Sequence, residues 1–292
     1  MRKVTVELRG GLANQLFQWA AGYIAVDGKI EDLRLTPRLV NRPVGRGDQL
    51  SHLGLNDRSN IFDSLSTRFW TLASRILPQR VSDWSQWHLV PVWPQYRKVR
   101  DYDELSVLND ASHVYLRGFF QERKILEPYR DVLAPIVVDN LDKISNVDDL
   151  PEQYSAMHIR RGDYVSNPAV SERFGICTDE YYFESAKKLP LNLPIVIVSD
   201  EPAKCGSIVS YLSSLGFQVI ARENSSHFSD MSVLVKAKNL VLANSTFSWW
   251  GAFLGSSENV IAPDVWFNDQ SIGSDMNLST WSTVDRTTGI QK

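Results

Sequence analysis

Short apolar runs alternate with segments of helical length through the second half of this chain. The apolar runs are 194–198, 217–220, 240–243 and 260–262, and the segments between them include 179–189 and 229–239. A strand that is apolar at every position is buried on both faces, which is typical of a parallel sheet covered by helices. The pattern predicts a Rossmann-like domain over about residues 150–270, with polar residues gathered at the carboxyl ends of its strands.

A pair of arginines follows another apolar run, 154–157, in the segment His158-Ile159-Arg160-Arg161-Gly162-Asp163. Each guanidinium carries a rigid fork of N–H donors that matches phosphate geometry, and it stays charged at any working pH. Because open α/β sheets place ligands at the carboxyl ends of their strands, the segment predicts an anion site. These six residues alone also fit a surface turn in which Asp163 pairs with Arg160 or Arg161.

A second polar segment follows the run 240–243 and reads Asn244-Ser245-Thr246-Phe247-Ser248-Trp249-Trp250-Gly251-Ala252. Asn, Ser and Thr are good N-cap residues, so a helix is expected to begin here and to run to Leu254. Free N–H groups at its start and three nearby hydroxyls would suit a phosphate. Taken alone, the segment fits better as an ordinary capped helix with a tryptophan-rich core face. Beside a strand end that carries two arginines, the phosphate site is the favoured interpretation.

The amino-terminal segment combines a strand, a glycine turn and a helix. Residues 3–8 alternate in polarity, Gly10 and Gly11 interrupt them, and 16–24 resume with a helical pattern. The G-x-G-x-x-G spacing of a dinucleotide site is absent, as is the lysine of a nucleotide-hydrolysing loop. The two glycines would instead let the backbone approach a small group, with Asn14 and Gln15 supplying amide contacts.

Together these segments resemble the bacterial α-1,2-fucosyltransferases of glycosyltransferase family 11. The resemblance rests on 10–18, 158–165 and 243–252, with Tyr115–Gln121 as a weaker fourth match. The family's H-x-R-R-x-D motif is matched in full, whereas Ala13 stands where many members carry glycine. The resemblance implies an α/β fold of two Rossmann-like domains in a GT-B-type architecture. It also implies a GDP-fucose donor, inversion at the anomeric carbon and no required metal or other cofactor.

The same resemblance implies roles for individual residues. Arg160 would grip the donor pyrophosphate, and the catalytic candidates are Arg160, Asp163 and Asn14. The candidate donor-binding residues are His158, Arg160, Arg161, Gly10, Gly11, Asn244, Ser245, Thr246 and Ser248. An acidic side chain is expected to accept from guanine, and Asp200 and Asp230 are the candidates, although Asp is also a common helix cap. The catalytic base stays open between Asp163 and the departing β-phosphate oxygen.

Fixed guanidiniums can do the work of a metal ion at a departing diphosphate. They stabilise the charge that develops in the transition state, and losing one such donor commonly costs about 10²–10³ in rate. Asp101-Tyr102-Asp103 has the spelling of a metal-binding pair, but it lies in a polar stretch, and no metal site is expected there.

The length of 292 residues favours two domains, with a joint expected in the acidic stretch 139–151. The predicted domains are an acceptor-side domain at 1–148 and a donor domain at 149–292. The Ser/Thr-rich tail after about residue 270 is expected to pack loosely across the joint. Cys177 and Cys205 are the only cysteines, and the chain enters a strand without a signal-like segment, which favours a cytoplasmic protein.

Residues 34–100 are basic, with 11 Lys and Arg against 4 Asp and Glu, a balance of +7. Within them, aromatic and apolar residues of 61–93 would allow peripheral contact with the cytoplasmic face of the inner membrane. A core-facing helix with solvated arginines is the favoured alternative. Trp84, Trp87 and Trp93 could stack on acceptor sugars or pack in a core. Nucleic-acid binding would need a more extensive basic surface and is not expected.

The favoured function is transfer of L-fucose from GDP-fucose to the 2-hydroxyl of a terminal galactose in an O-antigen or lipopolysaccharide-type precursor. The galactose acceptor follows from the resemblance alone. The same fold acting on another GDP-linked deoxyhexose stays open. A non-catalytic glycan-binding protein is a third hypothesis, but it would have no need for an intact Arg160, Asn14 and hydroxyl cluster at 244–248.

Overall fold

In a computed structural model of the protein, the described residues are 3–37, 47–56, 96–99, 101–106, 113–145, 147–223, 225–268 and 276–291. The segment 61–93 lies outside them, and with it the predicted membrane contact and the predicted roles of Trp84, Trp87 and Trp93. The chain divides into two compact units, Met1–Gln121 and Glu122–Lys292. Each unit contains a parallel sheet with helices, which confirms the predicted α/β fold of two Rossmann-like domains.

The first unit is built on a four-stranded parallel sheet in the order β2-β1-β4-β3. Its strands are β1 Lys3–Leu8, β2 Leu33–Pro37, β3 Tyr96–Val99 and β4 His113–Leu116; its helices are α1 Leu12–Ala25 and α2 Tyr102–Ser106, with a 3-10 turn at Ile30–Asp32. Val4 and Val6 alternate into the core, and Leu16 and Phe17 of α1 are also buried. The predicted strand, glycine turn and helix are confirmed, and the strand order reverses between β1 and β4.

The second unit is built on a six-stranded parallel sheet in the order β10-β9-β8-β5-β6-β7. Its strands are β5 Ser155–Ile159, β6 Ile195–Ser199, β7 Val219–Ala221, β8 Asn239–Val241, β9 Asn259–Pro263 and β10 Ser282–Val284. Its helices are α3 Arg123–Leu126, α4 Arg130–Ile144, α5 Gly162–Ser166, α6 Pro168–Phe174, α7 Asp179–Ala186, α8 Gly206–Ser214, α9 His227–Lys236 and α10 Thr246–Leu254, with 3-10 turns at Glu127–Tyr129 and Pro202–Lys204. The apolar runs therefore form parallel strands, as predicted.

The strand order of the second sheet reverses at β5. From β5 the chain builds β6 and β7 on one side and then returns to lay β8, β9 and β10 on the other. All five residues of β5 are buried, which is the pattern of a central parallel strand. A reversal of this kind opens a crevice at the carboxyl ends of the two strands involved, here β5 and β8.

The division between the units falls before α4, not at the predicted boundary of 148. Arg130, at the start of α4, donates to the carbonyls of Phe253 and Gly255, and Asp142 pairs with Lys236 of α9 at 2.8 Å. Residues 139–144 of the acidic stretch are thus the end of a helix that is bound to the second unit. Their polarity reflects the solvent-facing side of that helix.

The carboxyl-terminal tail is integrated into the sheet, so the expectation of loose packing was wrong. β10 pairs with β9 in parallel, from Ser282 opposite Ile261 to Val284 opposite Pro263. Val284 and Trp281 are buried. The tail therefore supplies the edge strand of the second sheet, and its Ser and Thr residues suit an edge that faces solvent on one side.

Candidate donor-binding site

The carboxyl ends of the neighbouring strands β5 and β6 bring Arg160 and Asp200 together. Nη1 of Arg160 lies 3.1 Å from Oδ2 of Asp200, and the guanidinium lies 5.3 Å from the centre of the Tyr164 ring. The Arg160 side chain is 22% exposed, so it is held by the protein and still reaches solvent. A charged donor fork in this state can bind an oxyanion.

Arg161 lies in a different environment from its neighbour. Its Nη1 donates to the Cys177 carbonyl at 2.7 Å, its Nη2 pairs with Oδ1 of Asp179 at 2.6 Å, and its guanidinium lies 5.4 Å from the centre of the Tyr182 ring. The side chain is buried. These contacts tie the start of α7 to the end of β5, so Arg161 supports the site through the framework of the unit.

His158 is the buried histidine at the centre of the reversal. It is 3% exposed, and its ring lies 5.5 Å from that of Phe247 in α10, which joins β5 to the segment that follows β8. Burial, with the nearby Arg160 charge, lowers the pKa of His158 to about 3, so the imidazole is neutral at working pH. Its Nδ1 has no hydrogen-bond partner among the described residues. The predicted place of His158 near the nucleotide stays a prediction.

The predicted phosphate cradle at 244–248 divides into structural and accessible parts. The Asn244 side-chain amide donates to the carbonyls of Phe174, Gly175 and Trp266 at 3.0, 3.0 and 3.1 Å, and Ser248 Oγ donates to Ala243 at 2.8 Å. Both side chains are buried, so they hold the loop in shape. Their predicted contact with a phosphate has no support in this geometry, because their donors are already bound to carbonyls.

The start of α10 is capped from within the same segment. Ser245 Oγ accepts from the N–H of Phe247 at 3.3 Å, as the N-cap pattern predicts. Thr246, the first residue of the helix, is partly exposed. The first turn of α10 holds no acidic residue, which leaves the positive end of the helix dipole without a compensating carboxylate of its own.

The two acidic candidates for guanine both have partners inside the unit. Asp200 binds Arg160 and two backbone N–H groups. Asp230, in the first turn of α9, accepts from Ser225 Oγ at 2.5 Å and lies 3.5 Å from Nε of Arg222. Burial raises the pKa of Asp230. Asp163 belongs to α5, but its side chain lies outside the described residues, so its predicted catalytic role stays a prediction.

The glycine turn of the first unit positions Asn14 at the reversal between β1 and β4. Gly10 has φ of +75°, and a Cβ there would lie 2.6 Å from Nδ2 of Asn14. Gly11 precedes the first turn of α1 as its N-cap. Oδ1 of Asn14 accepts from the Gln121 amide at 3.0 Å, which joins the first turn of α1 to the segment after β4. Gln15, in contrast, is buried, and its amide donates to the carbonyls of Gly10 and Gly47.

A buried carboxylate network on the first sheet was missed by the sequence argument. Glu7 accepts from Arg9 Nε at 2.8 Å and from the Tyr115 hydroxyl at 3.0 Å, and it lies 3.3 Å from Nε of Arg117. Burial, together with the Glu7 carboxylate, raises the pKa of the Tyr115 hydroxyl. Glu7 lies on β1 and Arg117 directly follows β4, so both flank the reversal between these strands. The weak family match at 115–121 was the available signal.

Neither metal-binding clusters nor membrane-spanning helices occur in the part of the chain that the structure describes. No three His, Cys, Asp or Glu side chains are grouped there as a metal ion would require. Asp101, the first residue of the Asp-x-Asp pattern, accepts from the backbone N–H of Glu104 at 2.8 Å and so caps a short helix. No helix among these residues is long and apolar enough to cross a bilayer.

The two sheets and the paired strand ends define the fold class as that of the GT-B-type glycosyltransferases. Among solved structures, the Escherichia coli heptosyltransferase WaaC matches with a TM-score of 0.50 and 12% identity, over 99% of this chain and 95% of that one. The Bradyrhizobium fucosyltransferase NodZ matches with a TM-score of 0.45 and 13% identity, over 87% of this chain and 93% of that one. The likeness to WaaC concerns the fold alone.

The family follows from a match over nearly the whole chain. The model of glycosyl transferase family 11 matches residues 3–285, and the chain belongs to this family. An α-1,2-colitosyltransferase of E. coli is 30% identical over 301 residues, covering 98% of this chain and all of that protein. The O-antigen biosynthesis glycosyltransferase WbnK of E. coli is 24% identical, covering 94% and 98%. The protein is therefore a glycosyltransferase, as the sequence motifs indicated.

Proposed function

We propose that this protein transfers L-fucose from GDP-fucose, with inversion and without a divalent metal, to the 2-hydroxyl of a terminal galactose in an O-antigen-type glycan precursor. The observation that carries the proposal is Arg160, held by Asp200 and Tyr164 where the strand order of the second sheet reverses. The family and the names of the two relatives support a sugar transfer in surface-glycan synthesis.

The chemistry assigns Arg160 to the leaving group. In an inverting transfer the acceptor oxygen forms its bond to the anomeric carbon while the bond to the β-phosphate oxygen breaks on the opposite face. Negative charge grows on the diphosphate as the sugar becomes oxocarbenium-like, so a fixed guanidinium stabilises the transition state more than the ground state. The proton of the acceptor hydroxyl passes to Asp163 or to the departing phosphate oxygen.

Colitose is the second candidate for the transferred sugar, because the relative that is 30% identical over its full length carries that specificity in its name. Colitose is the 3-deoxy analogue of L-fucose. A pocket that hydrogen-bonds the 3-hydroxyl rejects the analogue that lacks it by about 10⁴–10⁵, whereas an apolar pocket discriminates weakly. Competition between GDP-fucose and GDP-colitose therefore separates the two donors.

The test is GDP release from each donor, with and without lactose, in excess EDTA, followed by product NMR to fix the linkage. We expect lactose-dependent release from GDP-fucose, and a fall of about 10²–10³ in rate for Arg160→Ala. Circular dichroism and thermal unfolding control for folding. Full activity of Arg160→Ala would refute the assigned mechanism, and glycan binding without release from any donor would favour the non-catalytic alternative.

Peripheral membrane contact through 61–93 is a separate part of the proposal. The basic balance of residues 34–100 supports it, since cationic segments are attracted to anionic headgroups. We expect the protein to sediment with vesicles that contain anionic lipid and to be released by salt. Equal sedimentation with neutral vesicles would refute an electrostatic contact.

A further inference from the structure

We propose that Asp200 is a positioning residue that orients Arg160 for the donor diphosphate. The inference rests on the proposed function, because it assigns Arg160 to that diphosphate. It replaces the predicted role of Asp200 as a guanine contact with a role in phosphate binding. The carboxylate follows β6 and reaches across to the end of β5, the neighbouring strand.

Three contacts fix the Asp200 carboxylate. Its Oδ1 accepts from the backbone N–H of Arg161 at 2.9 Å, its Oδ2 accepts from the backbone N–H of Gly162 at 3.0 Å, and the same Oδ2 lies 3.1 Å from Nη1 of Arg160. Both oxygens are therefore bound to the turn that carries Arg160. The carboxylate is fixed by the backbone, so it provides a rigid reference for the guanidinium.

The glycine of the motif makes this arrangement sterically feasible. A Cβ at position 162 would lie 2.4 Å from Oδ2 of Asp200, which is closer than real Cβ contacts allow. Glycine at position 162, two residues after Arg160, therefore lets the Asp200 carboxylate approach the backbone closely. A guanine base would have to approach a carboxylate that already accepts two backbone N–H bonds and pairs with Arg160.

An arginine that is already oriented loses less rotamer freedom when it binds a phosphate. A free arginine side chain has many rotamers, and part of that freedom is lost on binding. The ion pair with Asp200 restricts Nη1 in the free protein, so the guanidinium is already held near one orientation before a ligand binds. The predicted signature is a loss of affinity confined to the β-phosphate, the group that distinguishes GDP from GMP.

The test compares dissociation constants for GDP and GMP, measured by calorimetry, in a double-mutant cycle of Asp200→Asn and Arg160→Ala. Asp200→Asn keeps the shape and removes the charge. We expect GDP binding to weaken about tenfold and GMP binding to change less than twofold. In the Arg160→Ala background, Asp200→Asn should have no further effect on GDP, because residues that act through each other are not additive.

Asp179→Asn is the matched control, since Asp179 pairs with Arg161 instead of Arg160. Both substitutions replace by asparagine an aspartate that pairs with an arginine of the motif. Asp179→Asn should lower stability without altering the ratio of GDP to GMP affinity. If Asp200→Asn does not fold, Asp200→Glu retains the charge and displaces it by one methylene, and the same ratio should fall.

Two outcomes separate this proposal from the function on which it rests. Additive effects of Asp200→Asn and Arg160→Ala, or equal weakening of GDP and GMP, would overturn the positioning role alone. Wild-type protein that does not distinguish GDP from GMP would overturn the donor assignment and, with it, the role of Asp200.

Discussion

His158 should make the stability of the second unit depend on pH in a defined direction. Its ring is buried and its pKa is lowered to about 3, against 6.5 for an ordinary histidine. Between these two pH values the unfolded chain binds a proton that the folded protein does not. Stability is therefore full above about pH 6.5 and falls as the pH drops, by about 1.4 kcal/mol per unit for this single group.

The measurement is urea unfolding of wild-type protein and of His158→Gln at pH 7 and pH 5. From pH 6.5 to pH 5 the histidine should contribute a loss of about 2 kcal/mol, whereas glutamine, which does not titrate, should contribute none. Taking the difference between the two proteins removes the titration of all other groups. Tryptophan fluorescence can follow the unit, since Trp249 and Trp250 are buried in its core.

The reasoning would be refuted if both proteins lost the same free energy of unfolding over this range. That result would mean that His158 takes up its proton in the folded state near pH 6.5, and that the ring is open to water. The neutral imidazole also predicts that the pH–rate profile of wild-type protein has no inflection near 6.5 from this residue.

Two further predictions concern residues whose roles the structure separates. Arg161→Met should lower the free energy of unfolding by about 1–3 kcal/mol, because it leaves the Cys177 carbonyl without its donor and removes the cation beside the partly exposed Asp179. The GDP affinity of the folded protein should stay within about threefold. Unchanged stability with weaker GDP binding would return Arg161 to the donor site. Gly10→Ala should displace Asn14 and cost about 1–2 kcal/mol in backbone strain, so kcat should fall with the GDP dissociation constant unchanged. An unchanged kcat in the GDP-release assay would remove Asn14 from the reacting centre.

Apolar patterning was sufficient to predict β5 to β9 of the second sheet, but it predicted neither the edge strand β10 nor the boundary of the second unit. The runs that became β6 and β9 are apolar at nearly every position, as central parallel strands require. β10 is Ser-Thr-Val, which carries no such signal, and its place is decided by pairing with β9. The boundary of the units was misplaced because the polar face of α4 has the composition of a linker.

Residue type predicted which segments form the candidate site, but not which atoms are available in it. Asn244 and Ser248 are polar residues at a strand end, yet their donors are bound to carbonyls of the same unit. A buried polar side chain must satisfy itself within the fold, and composition does not show whether its partner is backbone or ligand. The pairing of Asp200 with Arg160 spans forty positions and could only have been inferred from the rule that adjacent strand ends meet.

The two adjacent arginines of the motif have different roles because their side chains point to opposite sides of the strand end. Successive side chains at a strand end point to opposite sides, so two adjacent guanidiniums are not expected to hold the same phosphate. Arg160 faces Asp200 and Tyr164 and stays partly exposed, whereas Arg161 is buried against Asp179 and the Cys177 carbonyl. It follows that Arg161 should not rescue Arg160→Ala, although it carries the same charge one residue away. Arg161 is still present in Arg160→Ala, and we expect that variant to be nearly inactive. Added guanidinium should restore part of its activity.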